Sequence, residues 1–352
     1  MPTDSGYIHT FTPDEQQRLI DQALFLEPYH HAGIDFAGCK TILEVGCGVG
    51  AQMSVLLRRW PQAKLIGVDR AEAQIARAKV TLATHLRERR AELHLATGDR
   101  LPFDDATFDA ACVFWVFEHV AAPLPILGDI LRVMKPGAVF VCTEVFDKAL
   151  HIHPFMAATA RYFNAFTALQ AEFGGNPNVG VLMPGLLAQA GFVDITISDV
   201  SPTLDARMTS PTARRAFLDY FQTLLLSGAG LLLEKQRIDP LLVDAVKADF
   251  AWLLANPGAV LATGPSKFRA ANLLALSDCG RIVFTENRKA TFRHDALAQF
   301  QPHMDVGNVG FHEFWPLGDK AQIGIKRTNS CLGIEHRLVG CADPCRGQDV
   351  LH

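Results

Sequence analysis

The sequence lacks an uninterrupted apolar run long enough to cross a membrane. Its apolar runs at 224–226 and 231–233 are short and are separated by Ser227 and Gly228. A membrane-spanning helix needs about 20 consecutive apolar residues, so we expect no membrane span. The N-terminus also has no basic region followed by an apolar core. We therefore expect no secretory signal and a cytoplasmic protein.

The sequence has no excess of positive charge. Its 33 Lys and Arg residues against 37 Asp and Glu residues give a formal net charge of −4. Proteins that hold nucleic acid by its phosphates usually carry a clear basic surplus. The composition therefore argues against a nucleic-acid partner, whereas the 49% hydrophobic and 20% charged residues are ordinary for a globular protein.

Cysteine chemistry is not indicated either. Of the eight cysteines, Cys47, Cys112 and Cys142 fall in predicted turn or strand positions, where a cysteine usually behaves as a small buried apolar residue. The spacing of Cys341 and Cys345 is not accompanied by a further Cys or His pair that would complete a zinc site. The sequence therefore predicts neither a disulfide framework nor a metal site.

A glycine-rich turn after the first predicted strand is the most informative feature that is present. Residues 42–50 read Ile-Leu-Glu-Val-Gly-Cys-Gly-Val-Gly, and glycine lets a backbone adopt positive φ and approach a ligand closely. Asp69 and Asp99 end two later runs, 64–69 and 93–99. Acids at successive strand ends beside such a turn are how an open α/β sheet holds a nucleoside.

Further motifs follow the turn in order. They are Leu101–Asp104, Phe108–Asp109, Glu118–Val120 and Leu131–Ala138, before a strand at Val139–Cys142. Together with the turn and the two acids, these motifs resemble class I S-adenosylmethionine-dependent methyltransferases over about residues 40–145. The resemblance is greatest to the small-molecule methyltransferases that act on quinones, sterols and natural products.

The resemblance implies an α/β fold with a Rossmann-like seven-stranded sheet, an N-terminal helical lid and a helical cap insertion. Strands are predicted near 41–45, 64–68, 93–96, 109–114, 138–143 and 191–197. Helices are predicted near 12–27, 50–59, 71–90, 123–134, 155–173, 184–190, 210–226 and 236–255. The seventh strand, antiparallel and next to the sixth, is expected at 281–285 or at 322–326.

The sequence predicts four parts of the chain. They are the lid at 1–38, the S-adenosylmethionine-binding core at 39–200 with its cap insertion at 147–183, a helical substrate-side part at 201–328 and a polar tail at 329–352, for which disorder is left open.

The resemblance implies S-adenosyl-L-methionine as the cofactor. Asp69 would accept hydrogen bonds from the ribose hydroxyls, and Asp99 from the adenine amino group. The implied cofactor residues are Glu44, Gly46, Cys47, Gly48, Gly50, Asp69, Arg70, Gly98, Asp99, Arg100, Phe114 and Trp115. Arg70 is also compatible with a solvent-facing side chain, and Trp115 with a place in the core.

The expected reaction is in-line transfer of a methyl group to a small organic acceptor, which depends mainly on alignment and on exclusion of water. His119 and Glu144 are the candidate general bases, and His119 is equally compatible with a structural role at the start of a helix. The candidate acceptor residues are Tyr7, His119, His151, Phe155, Tyr162 and Phe166. The aromatic residues among them also fit a helix that simply packs on its neighbours.

Two other functions stay open at this point. Gly46, Gly48 and Ala51 also fit the G-x-G-x-x-A fingerprint of nicotinamide oxidoreductases, with Asp69 about 20 residues further on. The second alternative is a non-catalytic protein that binds S-adenosylmethionine. In that case the apolar stretch at 217–233 would form a partner or homodimer surface.

Overall fold

The computed structural model describes residues 8–9, 11–264 and 266–272, together with the backbone of two short strands beyond them. Helices and strands alternate over the first part of the chain. In chain order they are α1 (Pro13–His30), β1 (Thr41–Val45), α2 (Ala51–Arg59), β2 (Lys64–Asp69), α3 (Glu72–Thr81), α4 (Ala83–Arg87), β3 (Ala91–Leu95), β4 (Phe108–Phe114), α5 (Pro123–Val133) and β5 (Met134–Glu144). The helix predicted at 71–90 is thus divided into α3 and α4.

Helices dominate the part that follows. In chain order its elements are β6 (His151–His153), α6 (Ala157–Glu172), α7 (Val179–Ala190), β7 (Val193–Asp199), β8 (Thr203–Leu204), α8 (Pro211–Leu226), α9 (Ala229–Glu234), α10 (Pro240–Ala255), β9 (Val260–Ala262), β10 (Ser266–Ala271), β11 (Val283–Thr285) and β12 (Lys289–Thr291). We call α6, α8, α9 and α10 the helical cap.

Seven strands form one sheet in the order β3-β2-β1-β4-β5-β10-β7. β1 pairs in parallel with β2 and with β4, and β4 pairs in parallel with β5. β10 is antiparallel to both of its neighbours, β5 and β7. The predicted α/β fold with a seven-stranded, Rossmann-like sheet is therefore confirmed, and the carboxyl ends of its parallel strands meet at one edge.

The antiparallel strand is β10, and its predicted position was wrong. In the predicted segment 281–285, β11 pairs with β12 instead, and the alternative at 322–326 lies outside the described residues. β10 reads Ser-Lys-Phe-Arg-Ala-Ala, so its two basic residues hide the apolar pattern. Phe268 and Ala270 are nevertheless buried between β5 and β7, whereas Arg269 is exposed.

Helix α1 begins where the sequence predicts. The hydroxyl of Thr12 accepts a hydrogen bond from the Glu15 N–H at 3.3 Å, and Pro13 takes the first helical position. The helix continues past Pro28 to His30. It packs against α2, beside the sheet, and against α8 in the helical cap. Helix α1 therefore bridges the two parts of the molecule.

The sheet and the helical cap have separate apolar cores. One sheet core includes Phe140 and Phe192 and is covered by α5 and α7. The cap core includes Tyr162, Phe217 and Phe250, from three different helices. Because each fully buried aromatic side chain contributes about 1.5–3 kcal/mol by leaving water, the helical cap is stabilised by its own packing as well as by contact with the sheet.

The stretch Pro211–Glu234 is long and apolar enough, by length and composition, to match a membrane span, and it is the one such stretch in the described part of the chain. It consists of α8 and α9. Phe217, Phe221 and Leu232 within it are buried in the cap core. A core helix passes the same test, so this match is weak evidence for a membrane span.

Candidate active site

The turn after β1 is shaped by its glycines. Gly46, Gly48 and Gly50 have φ values of 75°, 50° and 75°, in the left-handed region that favours glycine. The N–H of Gly46 donates to the Val68 carbonyl in β2 at 2.8 Å. A Cβ on Gly46 would lie 2.3 Å from Val116 Cγ2. The turn is therefore held between the end of β2 and the loop after β4.

Asp69, at the end of β2, holds the same turn through both carboxylate oxygens. Its Oδ2 accepts a hydrogen bond from the Gly48 N–H at 2.8 Å, and its Oδ1 accepts one from the Ala71 N–H at 2.8 Å. A Cβ on Gly48 would meet nothing nearer than Gln74 Nε2 at 4.0 Å. A carboxylate beside open backbone is the arrangement that the ribose of a nucleoside requires.

One cavity of about 680 Å³ extends from this turn into the helical cap, within the range of small-molecule sites, roughly 300–1,000 Å³. Its sheet end is mainly polar and includes Gly46, Gly48, Asp69, Arg70, Gln74, Gly98 and Asp99. Its cap end is apolar and includes Leu150, Ile152, Phe163, Phe166, Phe221, Leu224, Phe250 and Leu261.

The structure separates the predicted cofactor residues into two groups. Those that line the cavity are Gly46, Gly48, Asp69, Arg70, Gly98, Asp99, Phe114 and Trp115. Glu44, Cys47, Gly50 and Arg100 are not among the described residues of the wall. Gly50 is required by packing, because a Cβ there would lie 2.8 Å from Leu82 Cδ1.

Glu44 is a buried carboxyl group behind the turn. It is 1% exposed, and its Oε2 has no hydrogen-bond partner among the described residues. Burial and the nearby charge of Asp69 raise the pKa of Glu44 well above its ordinary value. Glu44 is therefore a buried carboxyl group outside the described cavity wall.

The aromatic residues predicted to bind the acceptor are only partly brought together. Phe166 lines the cavity. Phe155 lies before α6 and is 77% exposed, so it does not face the cavity. Tyr162 is 0% exposed and packs in the cap core, outside the described wall. The helical spacing that suggested one common face spans both the cavity side and the core side of α6.

His151 also lies away from the cavity. Side chains alternate along β6 and its flanks, so Leu150 and Ile152 line the wall while His151 is exposed. His151 is therefore not among the described residues of the wall, and its contact with the acceptor stays a prediction. Tyr7 lies outside the described residues.

His119 lines the cavity just beyond β4. Its Nε2 lies 3.7 Å from Oε1 of Glu118, and its ring meets the ring of His9 edge-on, with 5.9 Å between centroids. Burial lowers the pKa of His119, Glu118 opposes this shift, and Arg70 and Arg18 add to it. The imidazole is therefore neutral at neutral pH, the form that can accept a proton.

Glu144 is not in the described wall, and its carboxyl group holds backbone instead. Its Oε1 accepts hydrogen bonds from the N–H groups of Val116 and Phe117 at 3.0 and 2.9 Å, and its Oε2 accepts one from Glu118 at 3.3 Å. These bonds shape the turn that presents His119. In the described structure Glu144 therefore holds this turn, and the general-base role expected from the sequence stays a prediction.

Several cavity residues were missed by sequence reasoning. Arg18, Gln22 and His30 line the wall from α1, and Tyr220 lines it from α8. The spacing of the first three by four and eight residues places them on one helical face, which was a readable signal. No local pattern marks Tyr220, because only the packing of α8 against α1 brings it to the cavity.

Glu144 is expected to make stability depend on pH. Burial and the charge of Glu118 raise its pKa to about 8 from an ordinary 4.5. The folded protein then keeps a proton that the unfolded chain loses, so the stabilisation is complete below pH 4.5 and declines as pH rises to about 8. In Glu144→Gln, the free energy of unfolding should therefore fall less between about pH 5 and about pH 8 than in the wild type.

Urea denaturation across this range measures the difference. Glu172→Gln is the matched control, because that carboxylate is half-exposed and pairs with Arg237 at the surface. Its pH dependence should equal that of the wild type. An unchanged pH dependence in Glu144→Gln would contradict the assignment of a protonated Glu144.

Comparisons with known proteins agree with this geometry. A family profile described as a methyltransferase domain matches residues 43–142. Demethylmenaquinone methyltransferase from Symbiobacterium thermophilum is 35% identical over 105 residues, which are 29% of this chain and 41% of the relative. Trans-aconitate 2-methyltransferase from Deinococcus radiodurans is 27% identical over 204 residues, which are 55% of this chain and 75% of the relative.

Among solved structures, phosphoethanolamine N-methyltransferase 2 from Haemonchus contortus in complex with S-adenosyl-L-methionine has a TM-score of 0.45 at 14% identity, covering 72% of this chain and 53% of that chain. The domain match contains the glycine turn, Asp69, Asp99 and His119. It supports the methyltransferase prediction and neither of the two alternatives. By this match, residues 43–142 form a methyltransferase domain.

Proposed function

We propose that this protein transfers a methyl group from S-adenosylmethionine to a small organic acceptor. The observation that carries the proposal is that one cavity joins the glycine turn and Asp69 to an apolar chamber in the helical cap. A nucleoside cofactor and an apolar acceptor can therefore share one space. Methyl transfer needs alignment of the two reactants and exclusion of water more than it needs a set of charged catalytic groups.

The sheet end of the cavity supplies the groups that the cofactor requires. Asp69 accepts hydrogen bonds from the ribose hydroxyls, and Asp99 accepts one from the adenine amino group. Because its glycines have no Cβ, the backbone of the turn can approach the ligand closely. When bound, S-adenosylmethionine supplies a methyl group on a sulfonium, and the group that leaves is a neutral thioether. Arg70 also lies in the wall, beside Asp69.

The cap end holds the acceptor. Phe166 and its apolar neighbours exclude water there, and His119 lies between the two ends as the group that takes a proton from the acceptor. Because burial lowers the pKa of His119, its imidazole is neutral at neutral pH and accepts this proton without first losing one.

The wider setting also remains a proposal. The net charge of −4 favours a small-molecule acceptor over a nucleic-acid partner, and we keep a cytoplasmic location and a homodimer as predictions. The predicted lid at 1–38, core at 39–200 with its insertion at 147–183, helical part at 201–328 and tail at 329–352 likewise stay predictions.

Asp69→Asn should weaken binding of S-adenosylhomocysteine by about a hundredfold. An amide has one acceptor oxygen, so its NH₂ group would face either the Gly48 N–H or the Ala71 N–H, and the turn would lose one of its two anchors. Isothermal calorimetry measures the affinity. Asp244→Asn is the control, because Asp244 is 72% exposed and pairs with Lys247. Equal affinities for the two variants would refute the role of Asp69.

His119→Gln should lower kcat/KM for methyl transfer by at least about a hundredfold while leaving affinity for S-adenosylhomocysteine unchanged. Because burial lowers the pKa of His119 below its ordinary 6.5, the wild-type rate should stay constant as pH falls to that value. Methyl-labelled cofactor and hydroxylated aromatic compounds provide the assay. His94→Gln is the control, because His94 lies outside the described wall, and it should have wild-type activity. Full activity in His119→Gln would show that His119 is not the group that takes the proton.

A further inference from the structure

A second cavity, of about 490 Å³, lies where the segment after α1 meets strands β5, β7 and β10. None of its described wall residues lines the cavity beside Asp69. Its volume is within the range of small-molecule sites, roughly 300–1,000 Å³. The charged and hydroxyl-bearing residues that matter most in its wall are Thr196, Ser198, Asp199, Ser201, Lys267 and Arg269.

The register of the strands places two cations side by side in this wall. Lys267 and Arg269 are two residues apart in β10, so both project from the same face of the sheet, whereas Phe268 between them is buried in the sheet core. In β7, Ser198 lies opposite Lys267 and Thr196 lies opposite Arg269. Opposed residues of paired strands project from the same face, so the hydroxyl groups of β7 lie beside the two cations.

Lys267 is a buried cation at the inner side of the cavity. It is 8% exposed, and its Nζ donates a hydrogen bond to the Ala32 carbonyl oxygen. A Cβ on Gly33 would lie 3.8 Å from the same Nζ. Because Ala32 and Gly33 both line the cavity, the ammonium group lies beside the wall that they form. An ammonium group has three donors, so this single bond leaves two of them for another partner.

The charge of Lys267 is not compensated within the described part of the chain. No carboxylate there forms an ion pair with its Nζ, and the groups that act on its pKa are burial and the charge of Arg59, which both lower it. A nearby carboxylate would raise that pKa instead. Burying an ammonium group without an anion costs free energy, and an anion bound in the cavity would offset this cost.

Arg269 adds a second positive charge that is open to the cavity. Its side chain is exposed, and it forms no ion pair with the described residues. Asp199 is the carboxylate of the described wall, but its Oδ1 accepts hydrogen bonds from the N–H and the hydroxyl of Ser201. Asp199 is therefore engaged within its own turn, and both cations remain available to a ligand.

We propose that the second cavity binds the phosphate group of a small phosphate monoester, held by Lys267 and Arg269. A guanidinium group donates two parallel hydrogen bonds to phosphate oxygens, and a lysine contributes a compact point charge. The hydroxyl of Ser198 supplies a further donor beside them. The remaining volume of the cavity leaves room for the organic part of the ligand. The inference goes beyond the proposed function, because the two cavities share no described wall residue.

A phosphate monoester suits this wall better than a carboxylate does. It carries nearly two negative charges above neutral pH and has three strong acceptor oxygens, which match the two cations and the hydroxyl donor. A carboxylate has a single charge and two oxygens. Acetate should therefore bind at least about tenfold more weakly than inorganic phosphate.

The test measures binding of inorganic phosphate to the full chain by phosphorus NMR. The titration is made at about pH 8, where phosphate is mainly a dianion, and at an ionic strength kept constant with sodium chloride. We expect a dissociation constant of about 1 mM for the wild type. Glycerol 3-phosphate, a monoester, should bind at least as tightly. Acetate is titrated in competition with phosphate.

Two variants and a control locate the binding. Lys267→Met and Arg269→Gln should each weaken phosphate binding by at least about tenfold. Arg215→Gln is the matched control, because Arg215 is exposed and lies outside both described walls, and it should keep the wild-type affinity. Urea denaturation first shows that each variant folds. Arg269 is exposed, so Arg269→Gln decides the question alone if Lys267→Met does not fold.

The outcomes are distinct. Weakened binding in the folded variants, with wild-type affinity in Arg215→Gln, supports the site. The absence of saturable phosphate binding to the wild type would overturn the inference, and so would wild-type affinity in Arg269→Gln. Acetate that binds as tightly as phosphate, or glycerol 3-phosphate that does not bind, would contradict the assigned class of ligand.

Discussion

The two hydrogen bonds that Asp69 accepts from backbone N–H groups are the constraint on which the site depends. They tie the glycine turn after β1 to the start of α3. Gly46 packs against Val116 in the loop after β4, so the ends of three adjacent parallel strands meet at one carboxylate. The cavity starts at that point. A displaced Asp69 would therefore disturb the turn and the cofactor end of the cavity at once.

Two further features connect the sheet side of the cavity with the rest of its wall. Helix α1 packs on α2 and on α8, and it contributes Arg18, Gln22 and His30 to the cavity wall. Glu144, at the end of β5, holds the turn that presents His119. Because the helical cap has its own apolar core, its inner wall can exclude water without relying on a bound ligand for its packing. The sheet and the helical cap together thus form the wall of one cavity.

The sequence was sufficient where function depends on local geometry. A glycine turn followed by acids at strand ends is a local sequence pattern, so the place of Gly48 and Asp69 in the cavity could be predicted. The sequence was insufficient for features whose position depends on long-range packing. β10 was hidden because basic residues interrupt its apolar pattern, and Glu144 turned inward to bind backbone N–H groups supplied by another loop. Tyr220 depends on the contact between α8 and α1, which no local spacing records.

We expect the cavity beside Asp69 to bind an S-adenosyl cofactor and not a nicotinamide cofactor. Calorimetric titration of the wild-type protein with S-adenosylhomocysteine and, separately, with NADH tests it most directly. We expect one saturable site of about micromolar affinity for S-adenosylhomocysteine and no binding of NADH. Binding of NADH without binding of S-adenosylhomocysteine would contradict this assignment and would favour a nicotinamide oxidoreductase.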